Sequence, residues 1–461
     1  MDLEKRARRQ SLRVIISEAV MVLAVAAMVI VLALVVSGYW LNADFKVERQ
    51  GMLQIYSMPT GANVEVDGDA PWFQRTNTSK ILASGEHAIT LTKDGYDSWS
   101  KTINISEGLL YRLHYPHLFL LEREKEKVYD AATTTSAIVS PNRKLLLLIN
   151  NTTIWTLLNL DNDKPKSTTI DISKIFSSVS LATDATNGLF TGNIISAEWD
   201  QANEHILFEV SNDVGSEWVI LDVKNPTNSV NITREFATDF SHIKIFDNSA
   251  NNLLALRNGN LHKINVPSRQ ISAVLTENVQ DYDFYESELI FSSSNYISSL
   301  KLGDNTPTTL KIIKSPTRVF LSKFYETNYV FTIEDNVLSV YEKDGFEEVL
   351  TATLDFIPDK IKIGYDGEFV VMNSGTNFTT LDMESMTIRN WATDSPYFGW
   401  VNNYMIYSVN DGKLSVYDFD GLNHRELANN VSNHFPVSIT SDKWLYYFSD
   451  DALMREWLIV R

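Results

Sequence analysis

The side chains that most often perform chemistry are scattered along this sequence. Its eight histidines stand at positions 87, 114, 117, 205, 242, 262, 424 and 434, and the chain has no cysteine. This excludes disulfides, thiolate metal sites and a cysteine nucleophile. There is no HExxH motif, glycine-rich phosphate loop, Gly-x-Ser-x-Gly elbow or EF-hand spacing. We therefore predict no enzymatic activity, and no catalytic, cofactor-binding or metal-binding residues.

Two patterns leave a metal site open as an alternative. His114 and His117 are three residues apart, a spacing that a metal-binding pair in a strand or loop could use. Acidic pairs such as Asp450-Asp451 and Asp418-x-Asp420 could bridge a calcium ion between turns, although no complete ligand array is present. Carboxylates are abundant here, so such pairs alone do not indicate a site.

The charge of the chain is unevenly distributed. The net charge is −18, but residues 1–18 contain five basic and three acidic residues and carry +2, which leaves −20 on the rest. A strongly acidic body repels nucleic acid, so we predict no nucleic-acid partner. The acidity favours solubility at a crowded surface, or attraction of cations and basic partners.

One apolar segment predicts a membrane anchor. Residues 19–41 contain no charged side chain, and a helix of that length is ~35 Å long, enough to cross a hydrocarbon layer of ~30 Å. The segment is too long for the apolar region of a cleaved signal peptide. No second segment of this kind follows, so we predict a single-pass protein.

The flanks of this segment predict its orientation. Basic residues, including Arg9 and Arg13, precede it, and no positive cluster follows. The positive-inside rule then places residues 1–18 in the cytoplasm and the bulk of the chain outside, with Tyr39 and Trp40 at the outer membrane interface. A tail this short cannot contain an output domain, so a sensor would need a cytoplasmic partner.

Residues 51–121 have the pattern of a compact β domain. Residues 52–57, 62–66, 85–92 and 99–105 read as strands, because apolar and polar residues alternate and turns such as Asp67-Gly68 separate them. The strings SMPTGANVEVDG from Ser57 and GEHAITLTKDGYDSW from Gly85 resemble the PEGA domain. That resemblance implies a small β-sandwich with an extracytoplasmic structural or interaction role and no catalytic residues.

Two features of this domain allow two interpretations. Trp72 and Phe73 lie in the loop after Asp67-Gly68, where an exposed apolar pair is costly. They either pack against the protein or form a contact patch for a partner or an envelope polymer. His87 lies on an alternating strand, where we favour a structural position over a ligand role.

The remainder of the chain, residues 127–461, follows a mixed-charge linker at residues 122–127 and repeats one β pattern. Eight copies begin at residues 137, 195, 242, 281, 318, 360, 398 and 437, with about four short strands in each and no good helical stretch. A period near 40 residues predicts a β-propeller of eight blades, or seven if one copy is misread. Segment 127–135 could supply the outer strand of the last blade and close the ring.

The turn Ser140-Pro141-Asn142-Arg143-Lys144 resembles the SPDG turn of WD40-like repeats, and the whole segment resembles WD40-like or TolB-like propellers. Residues 161–193 are rich in Ser, Thr and Asp and predict an insertion between the first two blades, with a helical turn near residues 172–179. Such an insertion is either a recognition element or a tolerated loop.

These features together predict an all-β protein with one transmembrane helix. Its expected role is binding or scaffolding in a bacterial cell envelope, with a protein or a glycan as the partner. The alternatives are a propeller-type lyase or hydrolase, favoured by buried ionisable groups with shifted pKa at the channel, and an extracellular sensor.

Overall fold

The computed structural model describes residues 18–33, 39–41, 47–69, 74–178, 180–183, 188–213, 215–246, 250–285, 287–304, 306–364 and 367–459. The predicted cytoplasmic residues up to 17, with Arg9 and Arg13, lie outside the described residues, as do Trp72 and Phe73. The chain divides into two units, residues 1–122 and 123–461.

The first unit begins with a helix, α1, at residues 18–33, whose large apolar side chains are exposed. Among the described residues, no helix combines the length and hydropathy that a membrane crossing requires. The predicted helix over 19–41 is wrong at its end, because Tyr39–Leu41 form a strand that pairs with Val47–Arg49. The physical reason is that Tyr39 and Trp40 have high β propensity and a partner strand nearby in sequence.

Two sheets form the rest of this unit. Their strands are β1 Tyr39–Leu41, β2 Val47–Ile55, β3 Asn63–Val66, β4 Thr78–Ala83, β5 Gly85–Thr92, β6 Trp99–Ile105 and β7 Leu110–Leu113. In the first sheet, β2 pairs with β1 and β4 antiparallel and with β7 parallel, whereas β3, β5 and β6 form the second sheet. Trp99 and Leu91 are fully buried, as the alternation of apolar residues predicts.

The second unit contains eight antiparallel four-stranded sheets in its described part, together with a small two-stranded sheet. Sheets 1 to 4 contain β9 Thr134–Val139, β10 Leu145–Asn150, β11 Ile154–Asn159 and β12 Lys166–Asp171; β15 Asn193–Trp199, β16 His205–Ser211, β17 Ser216–Asp222 and β18 Val230–Asn231; β19 Ser241–Ile245, β20 Asn252–Arg257, β21 Asn260–Asn265 and β22 Gln270–Ile271; β23 Asp281–Tyr285, β24 Glu288–Ser292, β25 Tyr296–Lys301 and β26 Thr308–Ile312.

Sheets 5 to 8 complete the series. They contain β27 Thr317–Phe324, β28 Thr327–Glu334, β29 Val337–Glu342 and β30 Glu347–Thr353; β31 Lys360–Ile363, β32 Phe369–Ser374, β33 Asn377–Asp382 and β34 Thr387–Ala392; β35 Phe398–Trp400, β36 Met405–Asn410, β37 Lys413–Asp418 and β38 Arg425–Ala428; β39 Ser438–Thr440, β40 Trp444–Ser449, β41 Ala452–Trp457 and β8 Lys125–Asp130.

The sheets form a closed ring. Apolar clusters join each sheet to the next from sheet 1 to sheet 7, and another joins sheet 8 to sheet 1. Sheets 7 and 8 meet where the Ile439 amide donates to the Val401 carbonyl at 2.8 Å. The unit is therefore a β-propeller with eight blades, because each sheet buries both faces against its neighbours.

The ring closes through β8, which is the outer strand of sheet 8. This corrects the interpretation of residues 122–127 as a solvated linker, since β8 starts at Lys125 and Arg123 Nε lies 3.1 Å from Glu456 Oε2. The charged residues are compatible with a strand because an outer edge strand exposes one face to water. Arg455 binds Glu126 across this junction, and its guanidinium lies over the rings of Trp444 and Trp457.

The predicted insertion is shorter than expected, because Lys166–Asp171 is the outer strand β12 of sheet 1. The remaining segment contains a turn at 173–175 in place of the predicted helical turn, then the small sheet of β13 Leu181–Thr183 and β14 Gly188–Phe190. Two short helices that the sequence did not predict, a 3-10 turn Pro226–Asn228 and α2 Ile232–Phe236, flank β18.

Candidate functional site: the central channel

The first strands of the sheets face the centre of the ring. Those of sheets 3 to 6 line one open cavity of about 340 Å³, a volume at the lower end of the ~300–1,000 Å³ of small-molecule sites. Its lining combines apolar side chains with positively and negatively charged ones; the charged residues are Lys244, Asp281, Asp283, Arg318 and Lys362.

One turn of sheet 1 reaches across the end of this channel. The Asn142 amide donates to Asn203 Oδ1 of the second sheet at 3.0 Å, and Arg143 Nη1 donates to Asn403 Oδ1 of the seventh at 3.0 Å. Thr440 Oγ1 of the eighth sheet donates to the Arg143 carbonyl at 2.7 Å. This is the turn that resembles SPDG, with Asn142-Arg143 in place of Asp-Gly, and Arg143 adopts a positive φ of 58°.

Arg143 and Lys362 place two positive charges beside the same turn of sheet 7. Sheets 1 and 6 are not neighbours in the ring, but Arg143 reaches Asn403 and Lys362 lies over Trp400. Loss of bulk solvation, and then the charge of Arg143, lower the pKa of Lys362 to about 8. Loss of solvation also lowers the pKa of Arg143 to about 10, although Asp442 opposes this. The Lys362 ammonium lies 5.5 Å from the centroid of the Trp400 ring.

The other side of the channel carries carboxylates. Lys244 Nζ lies 2.9 Å from Asp283 Oδ1, and the second oxygen of Asp283 accepts a hydrogen bond from the Leu321 amide at 2.8 Å. Burial raises the pKa of Glu198, as does Asp283 to a smaller extent, whereas Lys244 lowers it. The pKa of the neighbouring Tyr282 is also raised, chiefly by burial. The channel thus holds a carboxylic acid and an amine whose pKa values both move toward neutrality.

The histidines have structural partners. His117 is buried and its Nδ1 lies 2.7 Å from the Tyr115 carbonyl, and the described residues contain no group of three potential metal ligands that includes it or His114. His87 Nδ1 lies 2.6 Å from Asp67 Oδ2, and its Nε2 lies 2.9 Å from the Ala83 carbonyl. The hydrogen bond from His87 is the main reason that the pKa of Asp67 is lowered. His87 therefore stabilises the Asp67-Gly68 turn, which is a structural role.

The acidic pairs singled out in the sequence are separate from the channel cavity. Asp418 is buried, accepts a hydrogen bond from Asn423 Nδ2 at 2.8 Å and lies 3.8 Å from Arg425 Nη1. Asp420 caps the same turn by accepting from the Leu422 amide. These carboxylates stabilise a turn, whereas the residues that do line the channel were not singled out. The only signals for them were the charged residues in the first strands of sheets 3 to 6.

A buried carboxylate anchors the insertion. Glu217 is 1% exposed and accepts hydrogen bonds from the Ser177 amide, Ser180 Oγ and Asn231 Nδ2. Two of its partners, Ser177 and Ser180, belong to the segment between sheets 1 and 2. Glu217 therefore fixes this segment to sheet 2, since replacing it would leave several buried donors unpaired.

Comparison with known proteins finds one family match, which lies in the first unit. Residues 50–116 match the family model of the PEGA domain, a range that covers most of β2 and all of β3 to β7. A search of curated protein sequences found no match.

Several solved structures resemble the chain. Dihydro-heme d1 dehydrogenase NirN in complex with DHE is 14% identical, with a TM-score of 0.42, over 75% of this chain and 71% of that one. Kluyveromyces lactis Hsv2 with its complete loop 6CD is 10% identical, with a TM-score of 0.41, over 62% of this chain and 93% of that one. KlHsv2 with loop 6CD replaced by a Gly-Ser linker is 14% identical, with a TM-score of 0.38, over 57% of this chain and 90% of that one.

Proposed function

We propose that this protein is a membrane-anchored, non-enzymatic binding or scaffolding component of a bacterial cell envelope. The observation that carries the proposal is the closed ring of eight sheets around a charged channel, in a chain that also contains a PEGA-domain match. A closed β ring holds its turns and first strands rigidly, which suits the presentation of a binding surface.

The proposed arrangement has a cytoplasmic N-terminus and a single membrane crossing in the uncharged segment that begins at residue 19 and precedes the strand at Tyr39. The uncharged sequence there and the basic residues before it support this orientation. Protease added to intact cells should digest the propeller, while a cytoplasmic marker protein stays intact. Survival of the propeller until the cells are lysed would contradict the extracytoplasmic placement.

The binding role is tested by capture of envelope components on the purified full-length chain. We expect stoichiometric retention of one unmodified protein or glycan, and a change in retention by the channel variant Asp283→Asn that the matched surface variant Asp213→Asn does not show. Chemical change of the retained material over time would instead identify an enzyme.

An enzymatic role is the second candidate, because the channel contains Glu198 with a raised pKa and Lys362 with a lowered one. Such a pair could act as general acid and general base in a lyase or hydrolase. Glu198→Gln would then abolish conversion of the captured material without preventing its capture. Under the binding proposal, neither the wild type nor this variant converts it.

A further inference from the structure

The electrostatics of the channel indicate what kind of group it receives. Lys362 comes from the first strand of sheet 6 and lies over Trp400 of sheet 7, whereas Arg143 donates a hydrogen bond to Asn403, three residues further along that sheet. The two cations therefore lie beside the same turn of sheet 7, where their like charges repel. An anion bound at Lys362 would reduce this repulsion.

Both cations are held in position by neighbouring groups. Arg143 donates through Nη1 to Asn403 Oδ1 at 3.0 Å and to the Pro141 carbonyl at 3.3 Å. The Lys362 ammonium lies over Trp400 and has no ion pair within the described part of the chain. An arriving anion would therefore find its partners already oriented, which lowers the entropic cost of binding.

The nearby carboxylates are mostly engaged elsewhere. Asp283 is paired with Lys244 and accepts from the Leu321 amide. Asp281 accepts hydrogen bonds from the amides of Val319 at 3.0 Å and Tyr282 at 2.9 Å. Neither carboxylate therefore pairs with Lys362.

Two further charged residues complete the surroundings. Arg318 adds another cation to the lining, although its Nη1 donates to the Pro358 carbonyl at 3.0 Å. Asp442 attracts Arg143 and offsets part of its charge. Lys362 has no comparable carboxylate acting on its pKa.

We propose that the channel binds an anionic group, a phosphate or a carboxylate, at Lys362 in the open cavity lined by the first strands of sheets 3 to 6, with Arg143 adding positive charge from outside the cavity lining. This inference rests on the proposed binding function and names the chemistry of its ligand. The cavity of about 340 Å³ accepts one small anionic unit of a larger envelope molecule.

Calorimetric titration of the purified full-length chain with inorganic phosphate and, separately, with succinate tests this site. We expect saturable binding of at least one anion, and the stronger binder identifies the source chemistry. Lys362→Gln should weaken that binding about tenfold, because a charge-assisted hydrogen bond is lost. Lys362→Arg, which keeps the charge, should retain most of it.

Lys263→Gln is the matched control. Lys263 also lies over an aromatic ring, 4.8 Å from the centroid of Phe246, but it does not line the channel cavity. Unchanged binding in this variant, with a tenfold loss in Lys362→Gln, supports the site. No binding of either anion, or equal binding by the wild type and Lys362→Gln, overturns it. That failure would leave capture of an envelope component by the full-length chain unaffected, so the two proposals fail separately.

Discussion

Replacing Lys362 by methionine should stabilise the propeller in the absence of ligand. The substitution removes the charge that Arg143 repels and keeps an unbranched side chain over Trp400, where a thioether packs well against the ring. Removal of a lysine charge from the surface of an acidic protein would normally have little effect or a slightly unfavourable one. A stabilising effect would therefore be specific to the channel.

The magnitude follows from the pKa. In the folded protein the pKa of Lys362 falls from 10.5 to about 8. Without solvent screening, this shift means that protonated Lys362 lowers the free energy of unfolding by roughly 3 kcal/mol. More than a third of the Lys362 side chain remains open to water in the channel. Solvent screens the repulsion at such a position, so we expect a gain of roughly 1 kcal/mol at pH 7.

The pH dependence gives a second check. Below pH 8 both the folded and the unfolded chain carry a protonated Lys362, and the destabilisation is fully present. As the pH rises through 8 toward 10.5, the folded state loses this proton first, so the wild type gains stability and the advantage of the variant disappears.

Urea unfolding of the full-length wild type and Lys362→Met at several pH values measures both effects. Lys263→Met serves as the control, because Lys263 has a similar ring contact outside the channel cavity. An advantage that persists unchanged at pH 10.5, or a destabilised Lys362→Met variant at pH 7, would refute the reasoning.

Four further substitutions test the ring and its insertion by urea unfolding. Glu217→Leu leaves the donors of Ser180 and Asn231 unpaired, and we expect a loss of about 2–4 kcal/mol together with faster proteolysis of residues 172–183. Arg455→Met removes the bond to Glu126 at ring closure. Because Glu126 is 44% exposed and stays hydrated, we expect a loss of about 1–2 kcal/mol; an unchanged midpoint would show that strand pairing alone closes the ring. Gly367→Ala places a Cβ atom 2.0 Å from the Lys323 carbonyl oxygen at a φ of 76°, whereas Gly375→Ala meets no atom within 4 Å at a φ of 56°. Gly367→Ala should therefore lower the free energy of unfolding by about 3 kcal/mol, and Gly375→Ala by about 1 kcal/mol.

The sequence predicted the propeller well because the apolar residues that repeat along it lie in the buried strands. Predicted copies starting at Asp281, Lys360 and Phe398 coincide with the first strands of sheets 4, 6 and 7. The outer strands were harder to predict. Lys166–Asp171 is exposed over most of its length, so its Ser- and Thr-rich sequence has the composition of a loop although it forms the edge of a sheet.

The channel could not be predicted from the sequence in the same way. Lys362 is one of two lysines in the short alternating strand Lys360–Ile363, a pattern that indicates a half-buried strand without indicating which neighbour it faces. Arg143 was visible in its turn, but its proximity to Lys362 depends on the number of blades and on how the ring closes. The helix end at Tyr39 was misjudged because aromatic residues suit both a membrane interface and a strand.

The pairing of β8 with β41 sets the order in which this protein can mature. Glu126 and Arg455 are 329 residues apart, so at roughly 5–20 residues per second the ribosome needs roughly 15–65 s to supply the partner of β8. Until then β8 lacks the strands of sheet 8 with which it pairs, and it presents an unpaired edge that other chains could join. Ring closure therefore waits for the synthesis of β41, and export factors or chaperones that cover β8 would act during this interval.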